Sequence, residues 1–280
     1  MKHTQLEWTV PDGITFYGQA WEPEGSPRAV IALVHGLGEH SGRYAHVAAA
    51  FNRAGYAMMA LDLRGHGRST GQRGHIPSYE ALMDDVARFL QEVGARFPGR
   101  PQVLYGHSLG GSAVLNYALR RRPALAGLIA TGPALRTPLE QQTVKVTMAR
   151  ALSGILPALT MHSGLSAAGL AHDPQVVQAY VSDPLVHDLA TPRLAVEGFA
   201  AGRWALEHAA EFPAIPLLLM HGSADPICMP GSTRDFAGDV PGQCTCKIWD
   251  GLYHEVHNET TQAEVLAYMV DWVGRTVGGA

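Results

Sequence analysis

Apolar runs alternate with amphipathic segments along most of this chain. The apolar runs occupy residues 29–34, 57–61, 103–105, 127–130 and 215–220. Such runs are typical of strands that are buried on both faces of a parallel sheet. Residues 44–53, 79–93 and 109–121 lie between them and place apolar side chains at helical spacing. The alternation predicts an α/β fold, with a mostly parallel central sheet flanked by helices and ligand chemistry at the carboxyl ends of its strands.

The first twenty residues follow a different pattern. Pro11-Asp12-Gly13 separates two extended segments, and this tripeptide favours a tight turn between strands. We therefore expect the chain to open with a pair of antiparallel strands, from about residue 6 to about residue 20.

The alternation stops after Thr131 and resumes only near Ile215. The intervening stretch of roughly eighty residues is too long for a loop in a compact domain. Asp173-Pro174 and Thr191-Pro192 are typical of helix N-termini, which indicates helical structure within it. We predict a helical cap at residues 135–210, inserted after the sixth strand of a core formed by residues 1–134 and 211–280.

A further cap helix is indicated by apolar residues at helical spacing, namely Met148, Leu152, Ile155, Leu156 and Leu159. Pro157 should end or kink this helix near Leu156. The apolar stripe either packs on the core, as most amphipathic helices do, or stays exposed as a contact for a lipid surface. Packing is the favoured expectation. Exposure would instead predict transient membrane contact through the cap.

Composition excludes some classes of function. The chain has 280 residues, is 46% hydrophobic and carries a net charge of -4, with no dense stripe of Lys and Arg to neutralise a phosphate backbone. We therefore expect no nucleic-acid partner. The N-terminus lacks the apolar segment of a signal peptide, and the three cysteines, Cys228, Cys244 and Cys246, cannot all pair. These features predict a cytoplasmic protein.

A serine turn is the strongest chemical signal. The segment Gly106-His107-Ser108-Leu109-Gly110 follows an apolar strand and continues directly into a helical segment. On such a sharp turn the serine hydroxyl stands at the edge of the sheet, and the two glycines allow a close backbone approach. We predict that Ser108 is a nucleophile. The alternative is a glycine-rich turn with a capping serine.

Serine turns of this kind are followed along the chain by an acid and then by a base. Asp225 follows the apolar run that ends at Met220, and His254 follows the last strand. Both side chains should therefore reach the sheet edge that holds Ser108. We predict a catalytic triad of Ser108, His254 and Asp225.

Other acids and another histidine compete for these roles. Asp250 is too close to His254 in sequence to reach it easily, and Asp235 and Asp239 have no strand before them. His257 is the alternative base. We expect it at the start of the final helix, nearer to solvent, with a role in the pocket or at the surface.

The tetrahedral intermediate of acyl transfer needs two hydrogen-bond donors for its oxygen. One should be the backbone N–H of Leu109, at the start of the helix after Ser108. The segment His35-Gly36-Leu37-Gly38 follows the strand at 29–34 and can supply the second, the N–H of Leu37. The alternative is that its glycines only form a turn.

Other motifs do not fit a cofactor or a metal. In His254-Glu255-Val256-His257 the histidines are three residues apart, whereas a zinc helix needs four. The glycine-rich loop at 65–71 lacks dinucleotide-binding spacing. The sequence therefore predicts no cofactor and no metal. Asp62, Arg64 and His66 could form a catalytic cluster, but a hydrogen-bonded loop is the favoured interpretation.

Together these motifs resemble the monoacylglycerol lipases, a branch of the serine α/β hydrolases. The resemblance covers most of the core and one piece of the cap. It rests on residues 35–44 (HGLGEHSGRY), 62–69 (DLRGHGRS), 106–111 (GHSLGG), 182–186 (SDPLV), 221–225 (HGSAD) and 252–259 (LYHEVHNE).

The resemblance implies an α/β-hydrolase fold and supports the same triad and the same oxyanion donors, Leu37 and Leu109. It also implies that Glu39, Arg43 and His257 form a polar pocket for glycerol, and that the cap forms an apolar channel for the acyl chain. Cys228 matches a pocket cysteine of the family, although a buried structural thiol is an equal alternative.

The expected activity is hydrolysis of carboxylic esters, with monoacylglycerols as the small-molecule substrates. The alternative enzyme is a broad carboxylesterase that acts on short-chain or polyester-type esters. A scaffold protein on an inactive hydrolase fold usually lacks a triad residue, whereas Ser108, Asp225 and His254 are all present.

Overall fold

An eight-stranded sheet forms the centre of the molecule, which is a computed structural model that describes residues 1–278. The strands are β1 (Lys2–Thr9), β2 (Thr15–Glu22), β3 (Val30–Val34), β4 (Ala57–Leu61), β5 (Gln102–His107), β6 (Gly127–Thr131), β9 (Leu217–Gly222) and β10 (Cys244–Trp249). Their spatial order is β1-β2-β4-β3-β5-β6-β9-β10. The β1–β2 and β2–β4 pairs are antiparallel, and all the other pairs of this sheet are parallel. The predicted α/β-hydrolase fold with a mostly parallel sheet is confirmed.

Helices cover both faces of this sheet. They are α1 (Ala45–Arg53), α2 (Tyr79–Arg96), α3 (Leu109–Arg121), α7 (Pro230–Asp239) and α8 (Gln262–Gly278). Alternate residues of β3 belong to opposite layers of the core, because successive side chains of a strand point to opposite faces. Val30, Ala32 and Val34 lie in the layer that holds α2 and α3, and Ile31 and Leu33 lie in the layer that holds α1 and α8.

The N-terminal strands form the expected hairpin. The Val10 N–H donates to the Ile14 carbonyl over 2.9 Å, and Gly13 closes the turn at a φ of 86°. A positive φ of this kind favours glycine. The Pro-Asp-Gly signal therefore identified this turn correctly.

Together with short 3-10 turns, three α-helices and a two-stranded sheet lie between β6 and β9 in the chain. They are α4 (Thr143–Ile155), α5 (Pro174–Ser182), α6 (Pro192–Glu207), β7 (Met161–His162) and β8 (Leu189–Ala190). Asp173 and Thr191 cap α5 and α6 by accepting the N–H groups of Gln175 and Leu194, as their sequence predicted.

We propose that residues 135–210 form the cap and that residues 1–134 and 211–280 form the core. The support is that α4 to α6 interrupt the alternation of strand and helix, and that β7 and β8 pair only with each other among residues 1–278. Residues 279 and 280 of this division lie outside the described residues.

The apolar stripe of α4 and the turn after it is largely exposed. No residue of α4 is buried, and the exposed fractions are 55% for Met148, 77% for Ile155 and 51% for Leu156. The favoured expectation that this stripe packs on the core was therefore wrong. Pro157 follows immediately, and the helix ends at Ile155 as its position predicted. Among residues 1–278, none of the helices has the length and apolar character needed to cross a bilayer.

The cap is held against the loop that follows β3. The His187 N–H donates to the Gly38 carbonyl over 2.9 Å, and His40 Nε2 lies 2.9 Å from Asp183 Oδ2. A Cβ atom on Gly38 would lie 2.2 Å from the His187 carbonyl oxygen. Cap and core are thus in direct contact beside the predicted oxyanion loop.

Candidate active site

Ser108 occupies a strained turn between β5 and α3. Its φ of 55° and ψ of -116° are rare for a residue with a side chain and cost roughly 1–3 kcal/mol. Hydrogen bonds hold this conformation: the Ser108 N–H donates to the Thr131 carbonyl over 3.0 Å, and the Ser108 carbonyl accepts from Ala134 over 3.0 Å. Strain that is held in this way is typical of a functional residue.

The glycines on either side allow α3 to approach the sheet. A Cβ atom on Gly106 would lie 2.3 Å from the Gly110 carbonyl oxygen, and one on Gly110 would lie 2.1 Å from the Val34 carbonyl oxygen. Neither position has room for a side chain. This contact brings the turn at Ser108 against the end of β3, where the loop containing Leu37 begins.

Asp225 lies after β9 and accepts four hydrogen bonds. Its Oδ1 accepts from the backbone N–H groups of Ile227 (2.7 Å) and Cys228 (3.0 Å), and its Oδ2 lies 2.8 Å from His221 Nε2 and 2.7 Å from His254 Nδ1. Burial alone would raise the pKa of this carboxyl. Its attraction to His254 and the bonds from both histidines outweigh burial, so its pKa lies well below the ordinary value.

His254 is oriented by that carboxylate. Because Asp225 is ionised, Nδ1 of His254 carries the proton and Nε2 is left to accept one. Burial would lower the pKa of His254, but the attraction to Asp225 and the bond with it raise that pKa above its usual value. These are the properties of a general base whose protonated form is stabilised by a neighbouring carboxylate.

The structure brings Ser108 and His254 to the same cavity. Both residues belong to its wall, but the described part of the chain has no hydrogen bond between the Ser108 hydroxyl and His254. Such bonds often form only when substrate is present.

His221 is a site residue that the sequence analysis missed. It is completely buried at the end of β9, its Nδ1 lies 2.7 Å from Thr233 Oγ1, and its Nε2 lies 2.8 Å from Asp225 Oδ2. It therefore holds the same carboxylate oxygen that orients His254. Its position at the carboxyl end of a predicted strand was the available signal.

His35 fixes the loop that carries the predicted donor Leu37. The Leu63 N–H donates to His35 Nε2 over 2.9 Å, so the proton of this imidazole must be on Nδ1, which donates to the Gly36 carbonyl over 2.7 Å. That carbonyl and the Leu37 N–H belong to one planar trans peptide and point in opposite directions. Leu37 and Leu109 both line the apolar cavity at Ser108, and their role as donors stays a prediction.

Two cavities that differ in polarity meet at Ser108. The larger has a mixed wall with apolar, histidine and carboxylate side chains and is called the polar cavity below, whereas the smaller has no charged residue in its wall among residues 1–278. The polar cavity has a volume of about 400 Å³ and a wall that includes Glu39, His107, Tyr180 and Glu255. The apolar cavity, of about 110 Å³, is lined by α6 and by the turn after β6. A third cavity of about 180 Å³ lies between α4 and α6 and shares Leu139, Ala195 and Phe199 with the apolar one. The third cavity therefore adjoins the apolar one on the side of α4 and α6.

The three residues of the expected glycerol pocket do not lie together on the cavity wall. Glu39 lines the polar cavity, but Arg43 and His257 lie behind its wall. His257 is completely buried and stacks on Tyr44 with ring centroids 5.0 Å apart, so the expected position nearer to solvent was wrong. Glu255, which the sequence analysis did not assign, contributes to the wall instead.

Asp62, Arg64 and His66 do not belong to the wall of either cavity at Ser108. Asp62 Oδ1 accepts from the N–H and hydroxyl of Ser41, and Arg64 pairs with Asp85 over 2.5 Å and 2.6 Å. The favoured interpretation of a hydrogen-bonded loop agrees with these contacts.

One group of potential metal ligands occurs in residues 1–278. It consists of Asp225, Cys228 and His254, whose ligand atoms lie within 4.8 Å of one another. Both oxygens of Asp225 are already occupied by hydrogen bonds, and burial raises the pKa of the Cys228 thiol well above its usual value. This arrangement fits a hydrogen-bonded acid and base better than a ligand set.

Comparisons with known proteins agree with the fold. Residues 25–261 match the family Hydrolase_4, described as serine aminopeptidase, S33. The monoacylglycerol lipase of Mycolicibacterium smegmatis is 34% identical over 263 residues, which cover 93% of each chain. The crystal structure of the Paleococcus ferrophilus monoacylglycerol lipase has a TM-score of 0.85 and 33% identity, and the match covers 95% of this chain and 99% of that one.

A longer relative contains a similar domain. An abhydrolase domain-containing protein of Dictyostelium discoideum is 34% identical over 265 residues, and this chain spans only 28% of its length.

Proposed function

This chain belongs to the Hydrolase_4 family, and from that premise we propose that it is a serine hydrolase that cleaves carboxylic esters, with monoacylglycerols as substrates and a fatty acid and glycerol as products. One observation carries the substrate class. Ser108 lies where the larger cavity, which has carboxylate and histidine side chains in its wall, meets an apolar one, and a monoacylglycerol has a polar alcohol and an apolar acyl chain on the two sides of its ester bond.

In the proposed mechanism Ser108 Oγ attacks the acyl carbon while its proton passes to His254 Nε2. Asp225 stabilises the resulting imidazolium, and the N–H groups of Leu37 and Leu109 stabilise the negative oxygen of the tetrahedral intermediate. His254 then donates the proton to the leaving alcohol. Water repeats the sequence on the acyl-enzyme and releases the acid.

This proposal gives direct substrate contact to Glu39 and a supporting role to Arg43 and His257. Glu39 is supported as a direct partner of the glycerol hydroxyls because it lines the polar cavity. Arg43 and His257 are better assigned to positioning, since Arg43 pairs with Glu39 and Glu255, and His257 packs behind them.

The test is steady-state hydrolysis of monoacylglycerols of graded chain length, beside p-nitrophenyl butyrate and triacylglycerol. We expect a preference for monoacylglycerols that Ser108→Ala reduces by roughly a thousandfold or more. Ser232→Ala is the matched control, because Ser232 is a buried serine of α7 outside both cavities. A preference for the small ester would indicate the broad carboxylesterase instead, and full activity of Ser108→Ala would refute the triad.

We also propose that the cap touches lipid surfaces transiently through the exposed stripe of α4. The support is the run of exposed apolar side chains from Val144 to Met161, which includes Met148, Ile155, Leu156 and Leu159. A cytoplasmic location, expected from the three unpaired cysteines, stays a prediction.

A further inference from the structure

The charges around the polar cavity affect which leaving alcohols it can admit. Its wall includes the carboxylates of Glu39, Glu255 and Asp188. Within residues 1–278, no lysine or arginine belongs to that wall. His254 also belongs to the wall, but its positive charge when protonated is balanced by Asp225. The rest of the wall carries negative groups, with no lysine or arginine of the described chain facing them.

Arg43 lies behind two of these carboxylates and pairs with both. Its Nη1 is 2.8 Å from Glu39 Oε2 and 2.6 Å from Glu255 Oε1, and its Nη2 is 2.7 Å from Glu255 Oε2. Glu39 Oε1 also accepts from the Gly36 N–H and the Tyr44 hydroxyl. Burial raises the pKa of Glu255, but its attraction to Arg43 outweighs burial and lowers that pKa to about 2. One guanidinium therefore pairs with two carboxylates, so the group of Arg43, Glu39 and Glu255 has a net negative charge.

The neighbouring histidines do not remove this charge. Burial is the largest cause in each case: it lowers the pKa of His257 to about 3 and the pKa of His107 well below its usual value. It also lowers the pKa of His187, which lines the cavity. All three imidazoles are neutral at neutral pH, so the buried group of Arg43, Glu39 and Glu255 stays negative.

We infer that the polar cavity selects the leaving alcohol by charge: it admits neutral and positively charged alcohols, so that esters of amino alcohols are a further substrate class, and it excludes alcohols that carry a phosphate. This inference rests on the proposed ester hydrolysis. The physical reason is that charges in a buried site interact at a low effective dielectric constant, where a phosphate of charge near -2 is repelled. The reaction is unchanged: Ser108 Oγ displaces the alcohol from the acyl carbon, the leaving oxygen takes the proton that His254 received from Ser108, and water then hydrolyses the acyl-enzyme.

Three esters with the same acyl chain test this inference, namely dodecanoyl glycerol, dodecanoyl choline and dodecanoyl glycerol 3-phosphate, each below its micelle concentration. The acyl group and the oxyanion contacts are identical in all three, so differences in kcat/KM report the alcohol. We expect the choline ester to match or exceed the glycerol ester and the phosphate ester to be at least about tenfold slower, a factor that corresponds to about 1.4 kcal/mol. Equal rates for the phosphate and glycerol esters, or a choline ester about tenfold slower than the glycerol ester, would overturn the inference.

A matched pair of substitutions locates the effect. Glu255→Gln removes one charge from the cavity wall, so the penalty on the phosphate ester relative to the glycerol ester should fall by about tenfold. Glu259→Gln makes the same change at a buried carboxylate that does not line the cavity, and it should leave this ratio unchanged. An equal change in both variants would refute the assignment to the cavity wall.

Salt and product inhibition give independent measurements. The preference should persist at high salt, because buried charges are screened much less than exposed ones such as Asp188, whose side chain is 61% exposed. A preference that disappears at high salt would contradict the role of Glu39 and Glu255.

If Glu255→Gln fails to fold, inhibition of the wild type by free choline but not by glycerol 3-phosphate supports the inference, and the reverse order overturns it. Failure to cleave any of the three esters would instead contradict the proposed function itself.

Discussion

At the scale of single residues, the protonation of His254 controls the proposed reaction. The imidazole must be neutral to accept the Ser108 proton, and the attraction to Asp225 raises its pKa above the usual 6.5 despite burial. Activity is therefore lost as the pH falls through this raised pKa. We expect the acid limb of kcat/KM, measured between about pH 5 and about pH 9, to have its midpoint above about 6.5.

Asp225→Asn supplies the control for that midpoint. It removes the charge that raises the pKa of His254, so the acid limb should move to lower pH, while kcat falls by roughly ten-thousandfold. An acid limb below about pH 6.5 in the wild-type enzyme, or one that does not move in the variant, would contradict the assignment.

The sequence predicted some of these residues better than others. Ser108, Asp225 and His254 each follow a recognisable strand, so their convergence could be expected from the parallel sheet alone. The positions of His257 and Glu255 could not, because they depend on how the short segment between β10 and α8 turns. That turn places Glu255 on the cavity wall and packs His257 behind it.

At the scale of elements, the contact between α3 and β3 has no spare room. A Cβ atom on Gly110 would lie 2.1 Å from the Val34 carbonyl oxygen and 2.4 Å from that of His35, and neither backbone can move without displacing the sheet edge. We expect Gly110→Ala to lower the free energy of unfolding by about 1–3 kcal/mol and to reduce activity as well. Chemical denaturation followed by circular dichroism measures the change.

Gly154 offers the opposite case in α4. A Cβ atom there would have no neighbour within 4 Å, so Gly154→Ala should stabilise the helix by about 0.5–1 kcal/mol. If the two substitutions changed stability by the same amount, the close approach at Gly110 would not be the reason for its glycine.

Strand and helix types in the core could be predicted from the sequence because continuous apolar runs and helical periodicity are local signals. The exposure of the α4 stripe could not. Its spacing only shows that one face is apolar, and whether that face meets the core depends on how α4 sits above α6. Among the α-helices longer than ten residues in the described part of the chain, α4 alone has no buried residue. The expectation of packing on the core failed at this helix.

At the scale of the whole molecule, the exposed stripe gives the cap an apolar surface of its own. We expect the protein to float with neutral lipid vesicles, and the double substitution Ile155→Ser with Leu156→Ser to weaken binding by roughly tenfold or more, since each large apolar side chain contributes about 1.5–3 kcal/mol when buried. Flotation in a density gradient measures the bound fraction.

Val181→Ser is the control for this experiment, because Val181 has a comparable exposed fraction of 63% but belongs to α5. It should bind vesicles more tightly than the double variant. If the wild-type protein stays at the bottom of the gradient, the proposed contact of the α4 stripe with lipid is wrong.

The meeting of two cavities at Ser108 also governs the second half of the reaction. Once the alcohol departs, the acyl-enzyme keeps the apolar cavity filled while the polar cavity, of about 400 Å³, is vacated. A hydroxyl compound that enters this cavity occupies the position of the departed alcohol. It can accept the acyl group by the reverse of the step that formed the acyl-enzyme. Water is the acceptor in dilute solution. In concentrated polyol we therefore expect acyl transfer to the polyol as well, and the ratio of new ester to free acid measures how the polyol and water compete for the vacated cavity.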